Sequence, residues 1–326
     1  LLFLRNVHQL EFQTSVQKLV TLERQETGDG LQQVKLSTSD QVNTWTIVEK
    51  NAVALAFVHN DFGICRLEEK IAVVHAFLPT EELSGLGVKV NGDISTDPSR
   101  KKVIFDEHTF QVIERIAKLI VDVIIDCLTA SNRFDDPISV ISALTPSIEP
   151  RLLAFKQRSF MKELVSSIQK QVGSSFRQLR CCPNWLNAAD FYKFAERSGM
   201  WTPMQQVDEI PESSRFLKFL GAADASLDDI SAALMDNAPT LLGCVDIVAY
   251  LVRNHSTKQI DITRISNEWR IWPTDKSVHS LKEILYEPVA LKDEFVDMII
   301  EKISSIRELH RFLNTFTDEN IINTLI

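Results

Sequence analysis

The stretch FLPTEELSGLGVKVNGDISTDPSRKKVIF occupies residues 77–105 and carries the most particular local pattern in the chain. It holds three of the ten glycines, Gly85, Gly87 and Gly92, between two apolar runs. It ends with the cationic sequence Ser-Arg-Lys-Lys at residues 99–102. Glycines beside short apolar runs predict strands that are joined by tight turns.

Two turns and two strands are predicted around this stretch. Residues 71–77 and 86–90 are apolar or alternating runs of the strand type, and Asn91 with Gly92 forms a turn dipeptide. The second turn is at residues 97–99, because Pro98 fixes its own φ and pushes Asp97 away from the helical region. Arg100 therefore lies on a loop, where a rigid scaffold presents side chains to ligands.

The residues before the stretch have the pattern of a mostly antiparallel sheet. Alternating or β-branched runs lie at residues 7–12, 19–24, 34–36, 44–48 and 53–58. The sequence Gly-Asp-Gly at residues 28–30 is a hairpin signal between two of these runs. After the stretch, apolar residues at helical spacing from 110 to 128 predict one long helix that covers a face of the sheet. We expect Asp106 to cap this helix and residues 131–132 to end it.

From residue 133 onward the periodicity is helical. Ser226 and Asp229 resemble a capping box and predict the start of a helix. We also predict one strand at residues 259–262 and an irregular aromatic patch at residues 269–272. The predicted helices lie at residues 138–144, 152–172, 188–197, 213–220, 227–235, 241–253 and 291–316. The predicted fold class is an α+β N-terminal unit, a mostly antiparallel sheet with a long covering helix, at residues 1–132, followed by an all-helical domain at residues 133–326.

Composition and charge exclude several classes of function. The chain has 326 residues, of which 44% are hydrophobic and 24% charged, enough apolar material for roughly two ordinary domains. The net charge of −9 argues against broad affinity for nucleic acid or an anionic membrane, because neutralising phosphates needs clustered Lys and Arg. No apolar run reaches the ~20 residues that span a bilayer. We therefore expect a cytoplasmic protein that binds neither membrane nor nucleic acid.

The cysteines indicate neither a zinc site nor a disulfide framework, because they are odd in number and scattered and contain no CxxC pair. Thiols of a cytosolic protein are the natural interpretation. The adjacent Cys181 and Cys182 are either a redox-active pair or, as we favour, one thiol in a core and one at a surface. The five residues are Cys65, Cys127, Cys181, Cys182 and Cys244.

Residues 77–80, 84–86 and 90–100 resemble the segment after the nucleotide-binding domain in sacsin-type proteins. These are large relatives of the ninety-kilodalton heat-shock chaperone, within the Bergerat-fold ATPases. Residues 1–7, LLFLRNV, resemble the exit from that domain, so the likeness covers about the first third of the chain. In the chaperone relatives an arginine on a loop reaches the ATP γ-phosphate, and Arg100 is the position that matches best.

The resemblance implies a transducer-like domain at residues 1–132 and ATP with Mg²⁺ as cofactors of an upstream domain. The Bergerat site needs a helix with glutamate and asparagine, an aspartate-glycine motif and a glycine-rich lid, and none of these precedes residue 1. The chain also begins on Leu rather than Met. We therefore expect a piece of a longer protein, with no cofactor bound by this chain itself.

Arg100 is the candidate catalytic residue. A guanidinium presents a fork of donors to phosphate oxygens and stabilises charge in phosphoryl transfer. Lys101 is a candidate phosphate contact, and Asn91, Asp97 and Ser99 are expected to shape the loop through turn hydrogen bonds. The alternative for the whole segment is a solvated surface loop.

Other polar and aromatic residues carry weaker hypotheses. His59 and Asp61, which lie close in sequence, and His75 are candidate catalytic or metal-binding groups. No further ligand is spaced to complete a metal site with them, so a polar hairpin tip and a core histidine are the preferred interpretations. The aromatic residues of the helical half are predicted to be mostly core, with a groove for a partner helix as the functional alternative. They are Trp185, Phe191, Tyr192, Phe194, Trp201, Trp269 and Trp272.

The expected function is that of a transducer and helical segment behind the ATPase domain of a sacsin-like protein. It would couple the nucleotide state of that domain to binding of a partner or client. The implied partners are the ATPase domain of the same protein, a client or partner protein, and a second copy in a homodimer. The alternative is a non-enzymatic interaction module, for example in a bacterial defence or modification complex, in which Arg100 only holds a loop.

Overall fold

The chain forms two compact units. The computed structural model describes residues 1–326 apart from positions 1, 5, 6, 8, 13–17, 29, 39–40, 130–132, 154, 156, 173–174, 237 and 255–267. The first unit contains Leu1–Gln178 and Gln206–Ala222, and the second contains Leu179–Gln205 and Ala223–Ile326. The first unit extends beyond residue 132, because the helices that follow that position pack on the long helix that covers the sheet.

A nine-stranded sheet builds the first unit. The order across it is β1-β2-β3-β4-β5-β9-β7-β8, and β6 pairs with β5. All of these pairs are antiparallel except β7 with β9, which is parallel. The strands are β1 (Gln9–Phe12), β2 (Lys18–Gly28), β3 (Leu31–Ser37), β4 (Val42–Lys50), β5 (Val53–Asn60), β6 (Gly63–Cys65), β7 (Val73–Ala76), β8 (Leu78–Leu83) and β9 (Lys89–Asn91).

The helices lie between and after these strands. The described residues form α1 (Glu107–Leu128), α2 (Pro137–Leu144), α3 (Pro150–Leu153), α4 (Phe160–Gln171), α5 (Ala188–Ser198), α6 (Gln205–Asp208), α7 (Pro211–Phe219), α8 (Leu227–Asp236), α9 (Leu241–Asn254), α10 (Leu281–Tyr286), α11 (Asp293–Ile303), α12 (Ile306–Leu313) and α13 (Glu319–Leu325). The predicted α+β unit followed by a helical domain is confirmed as a fold class.

The α1 helix covers one face of the sheet, as its periodicity predicts. Asp106 caps it, since its Oδ1 accepts a hydrogen bond of 2.8 Å from the Thr109 N–H. Fully buried residues of α1, such as Ile113, pack towards β5, whose Leu55 and Phe57 are also fully buried. The helix ends at Leu128, and the predicted stop at residues 131–132 lies outside the described residues.

The opposite face of the sheet carries a smaller core. Cross-strand pairing places Val34 beside Trp45 on this face. Leu2 and Phe3 pack against these side chains and against Ile47. The N-terminal residues therefore cover part of the face that α1 leaves open.

Strands β7, β8 and β9 correct the sequence-based prediction. A single strand was expected at residues 71–77, but β7 ends at Ala76 and the chain reverses at Phe77, so that Ala76 pairs with Leu78 of β8. Phe77 has a φ of 62°, a conformation that glycine usually signals. The sequence therefore shows no turn here. Residues 86–88, expected to begin a strand, are bends, and β9 begins only at Lys89.

Two predicted helices are each divided in the structure. Residues 152–172 form α3 and α4, and Ser159 caps α4 by accepting from the Lys162 N–H. Residues 291–316 form α11 and α12, and Ser304, with a φ of 62°, ends α11. A hydroxyl cap at the start of one helix and a left-handed residue at the end of another interrupt the helical backbone, while the apolar periodicity continues across both interruptions. Periodicity alone therefore predicts one helix where the structure has two.

The second unit is mainly helical with two short sheets. Strands β10 (Arg180–Cys181) and β11 (Ala223–Asp224) pair in parallel, and β12 (Arg270–Pro273) pairs antiparallel with β13 (Val278–Ser280). The patch at residues 269–272, predicted to be irregular, is thus mostly strand. The predicted strand at residues 259–262 lies outside the described residues.

The predicted capping box at the start of α8 is confirmed. Ser226 N–H donates to Asp229 Oδ2 at 2.8 Å, and Asp229 N–H donates to Ser226 Oγ at 3.2 Å. Across the part of the chain that is described, no helix is both long enough and apolar enough to span a membrane.

Candidate functional site

Arg100 lies at the tip of a short, well-anchored loop. Thr96 and Val103 pair across its base, and Asp97 N–H donates to Lys102 O at 3.0 Å. Arg100 itself has a φ of 57°, an uncommon conformation for a residue with a side chain. Its side chain is exposed, and its guanidinium has no hydrogen-bond or ion-pair partner within the described residues. The loop therefore presents this guanidinium to solvent.

Asp97 holds the loop together. Its Oδ1 accepts hydrogen bonds from the backbone N–H groups of Lys101 at 2.8 Å and Lys102 at 3.0 Å, and its Oδ2 accepts from Ser99 Oγ. The hydrogen bond from Lys102 N–H, followed by that from Ser99, lowers the pKa of Asp97 below its ordinary value. Asp97 and Ser99 thus form the turn hydrogen bonds that hold this loop.

Lys101 is paired rather than free. Its Nζ lies 2.8 Å from Glu81 Oε1 on the edge strand β8, and this hydrogen bond raises the pKa of Lys101. The Glu81 N–H also donates to Lys101 O at 3.0 Å. Sequence reasoning missed Glu81, because its role depends on β8, which the sequence pattern does not predict. The ion pair leaves Arg100 less constrained than Lys101.

Asn91 is not part of the Arg100 loop. It is the last residue of β9 and is buried, and its Oδ1 accepts a hydrogen bond of 3.0 Å from the Phe77 N–H. Asn91 therefore stabilises the turn between β7 and β8. The structure brings Asp97, Ser99 and Lys101 together around Arg100 and places Asn91 elsewhere.

The three glycines of the stretch permit close packing. A Cβ on Gly85 would lie 2.2 Å from Met161 Cγ, and one on Gly92 would lie 2.5 Å from Val112 Cγ1. Gly87 N–H donates to Ala143 O at 2.7 Å, next to the end of α2. The segment thus fits between the sheet and helices α1, α2 and α4, because it has no side chains at these points.

The two histidines do not form a metal site with Asp61. Thr46 Oγ1 and His59 Nε2 share a hydrogen bond of 2.7 Å, and burial lowers the pKa of His59. His75 is buried, packs edge-on against Phe3 and has no partner for either ring nitrogen in the described part of the chain. Burial, with Lys89 nearby, lowers its pKa to about 3. No group of three or more metal-ligating side chains occurs among the described residues.

The thiols and aromatic residues of the second unit are mostly structural. Cys181 is buried and Cys182 half-buried, as the core-and-surface interpretation predicts, and all five cysteines are free. Four of the seven aromatic residues considered above are buried, namely Phe191, Phe194, Trp269 and Trp272. Trp185 is half-buried and stacks on Tyr250 at a centroid distance of 4.4 Å.

The comparisons with known proteins add no family to this picture. Neither the protein-family models, nor the curated proteins, nor the solved structures gave a significant match to this chain. The resemblance to sacsin-type proteins in residues 77–105 therefore stays a prediction. The geometry itself defines an exposed arginine on a rigid loop, an arrangement that can bind an anionic group with two parallel hydrogen bonds.

Proposed function

We propose that this chain is the transducer and helical segment of a sacsin-like ATPase. In this account the first unit receives the nucleotide state of an upstream Bergerat-fold domain, and the helical domain binds a partner or client protein. Arg100 reaches the γ-phosphate of ATP held with Mg²⁺ by that upstream domain. The full-length protein is then an ATPase, and this chain supplies one catalytic side chain.

The observation that supports the proposal is the state of the Arg100 side chain. It is exposed and unpaired, while Lys101 beside it is engaged by Glu81. The backbone beneath it is fixed by Asp97, which accepts from two successive N–H groups. A preorganised donor of this kind stabilises transition-state charge without reorganisation when a phosphate arrives.

The test is the ATPase activity of the full-length protein with Arg100→Ala. We expect turnover to fall about a hundredfold, the usual order for loss of one preorganised donor, because the guanidinium acts on the transition state. Arg100→Lys keeps the charge but not the fork, so it should recover little activity. Unchanged turnover in Arg100→Ala would exclude the catalytic role.

The matched control is Lys102→Ala. Lys102 lies in the same loop and is exposed, but its contacts with Asp97 come from its backbone N–H and carbonyl, which the substitution keeps. Its ATPase activity should stay within about twofold of the unmodified protein, the range expected for a surface change that removes no catalytic contact. An equal loss in Lys102→Ala and Arg100→Ala would mean that general positive charge, not the arginine fork, is required.

A non-enzymatic interaction module is the second candidate. It is favoured by exposed apolar side chains at the edge of the sheet, where Phe77 and Leu78 are 47% and 41% exposed. In that case Phe77→Ser with Leu78→Ser would abolish capture of a partner from a native extract, and Arg100→Ala would not. Partner capture that survives in the Phe77→Ser, Leu78→Ser variant, together with a loss of ATPase turnover in Arg100→Ala, would favour the transducer.

A further inference from the structure

A groove runs across the sheet on the face opposite α1. Its larger part is a cavity of about 710 Å³, and a neighbouring cavity of about 430 Å³ continues it. Cross-strand pairing builds the groove, because Glu49, Ala54 and Asn91 are successive partners on β4, β5 and β9. Both cavities are lined by Glu26, Gln32, Glu49 and Ala52.

One wall of the groove is the N-terminal segment, which Arg24 fixes in place. Arg24 Nη2 donates to the carbonyl oxygens of Leu2 at 2.9 Å and Leu4 at 3.0 Å, and its Nη1 donates to Gln32 Oε1 at 3.1 Å. Both terminal nitrogens of this guanidinium are therefore used within the protein.

The charges that line the groove are mainly negative. Its carboxylates are Glu26, Glu49 and Asp93, and its cations are Arg24 and Lys50. Lys50 is paired with Asp122 at 2.7 Å, outside the groove lining, and Arg24 is engaged as described. Asp93 Oδ2 lies 3.4 Å from His108 Nε2. Glu26 has no ion-pair partner within the described residues. A cationic ligand would complement this surface.

Asn91 adds a directional donor to the same groove. The residue is only 7% exposed, and its Oδ1 is occupied by the Phe77 N–H. Its Nδ2 has no acceptor in the described part of the chain, although Asn91 lines the groove. A ligand carbonyl would satisfy this donor. Apolar contact is available from Ile47, Ala54 and Phe77.

We propose that this groove binds a short basic segment of a partner protein. A Lys or Arg side chain of the segment pairs with Glu26, a main-chain carbonyl accepts from Asn91 Nδ2, and aliphatic parts pack on the apolar lining. A nucleic acid is disfavoured, because its phosphates would face carboxylates. The proposal is independent of Arg100, which does not line the groove.

The experiment measures fluorescence anisotropy of the chain with a labelled octapeptide of alternating alanine and arginine. Peptides with glutamine or glutamate in place of arginine serve as comparisons. We expect the arginine peptide to bind more weakly as ionic strength rises, and the glutamate peptide not to bind. Absence of binding by the arginine peptide at millimolar protein would overturn the proposal.

Paired variants locate the site. Glu26→Gln should weaken binding about two- to fivefold, the range expected for loss of an exposed ion pair. Glu23→Gln makes the same change on the other face of β2 and should leave binding unchanged. Ala52→Arg, which adds a cation to the lining, should weaken binding at least tenfold. Circular dichroism confirms that each variant is folded.

Two results would contradict the proposal. If Glu23→Gln weakens binding as much as Glu26→Gln, the peptide is attracted only by the overall acidity of the chain. If spermidine binds the chain with the same dependence on Glu26 and the peptide shows no advantage over it, the occupant is a small polyamine rather than a polypeptide.

Discussion

Gly85 and Gly30 have nearly the same backbone conformation but different surroundings. Their φ values are 76° and 71°, so an alanine at either position costs about 1–2 kcal/mol of left-handed strain. A Cβ at Gly30 would meet nothing closer than Arg133 Nη2 at 3.8 Å, whereas one at Gly85 would collide with Met161. We expect Gly85→Ala to lower the free energy of unfolding by about 1–3 kcal/mol more than Gly30→Ala, as measured by urea denaturation. Equal losses would show that α4 moves away at little cost.

His75 gives the first unit a pH dependence in the weakly acidic range. The folded protein holds this imidazole neutral, with its pKa lowered to about 3, while the unfolded chain binds a proton near pH 6.5. The contribution of His75 to the free energy of unfolding is therefore fully present above about pH 6.5 and is lost as the pH decreases from there towards 3. The expected loss from this group between pH 7.5 and pH 5 is about 2 kcal/mol. Asp97, whose pKa is lowered, loses its contribution only at more acid pH.

The variant that tests this is His75→Leu, compared by urea denaturation at pH 7.5 and pH 5. It should remove most of the pH-dependent loss and cost little at pH 7.5, because an unpaired buried imidazole contributes no hydrogen bond. His108→Gln is the control, since His108 is exposed and should leave the pH dependence in place. A pH dependence that survives in His75→Leu would assign it to another group.

In the Arg100 loop, the roles of some residues could be predicted from the sequence and those of others could not. Asp97, Pro98 and Ser99 act within a few positions of one another, so the turn and its supporting side chains were predictable. Asn91 was assigned to the same loop by proximity in sequence, but strand pairing directs its side chain to Phe77. The Lys101 partner, Glu81, depends on which strand lies at the sheet edge and has no local signal.

Ser304 separates α11 from α12 and adopts an unfavourable backbone conformation. Its φ of 62° suits glycine, whereas Ser305 is extended with a φ of −164°. Ser304→Gly should therefore raise the free energy of unfolding by about 0.5–1 kcal/mol, and Ser305→Gly should lower it by a similar amount. Thermal unfolding followed by circular dichroism measures both. A loss of stability in Ser304→Gly would mean that the serine side chain stabilises this break.

The elements with strong periodicity were predictable, and those made by unusual backbone were not. The alternating runs give β1 to β5, and the apolar stripe after Asp106 gives α1 with its cap. The turn at Phe77 and the break at Ser304 use positive φ at residues with side chains. Such conformations are held by tertiary contacts, so the local sequence shows a continuous strand or helix where the structure has two elements.

The arrangement of the chain into units depends on contacts that no local pattern carries. The hydrophobic periodicity of the sequence becomes helical near residue 133. The helices α2, α4 and α7, which follow that position, nevertheless belong to the first unit with the sheet. The groove is likewise invisible in sequence, because Glu26, Glu49 and Asn91 become neighbours only when β2, β4 and β9 enter one sheet. Strand order, which places β9 between β5 and β7, is set by long-range packing rather than by local propensity.

The central claim is that this chain works behind a nucleotide-binding domain of the same protein. The most direct measurement is the intact mass and N-terminal sequence of the natural protein, compared with the 37.0 kDa of this chain. We predict a much larger protein whose upstream residues contain the Bergerat motifs. A natural protein that begins at residue 1 of this chain or just before it would contradict the account and leave a binding module without an ATPase.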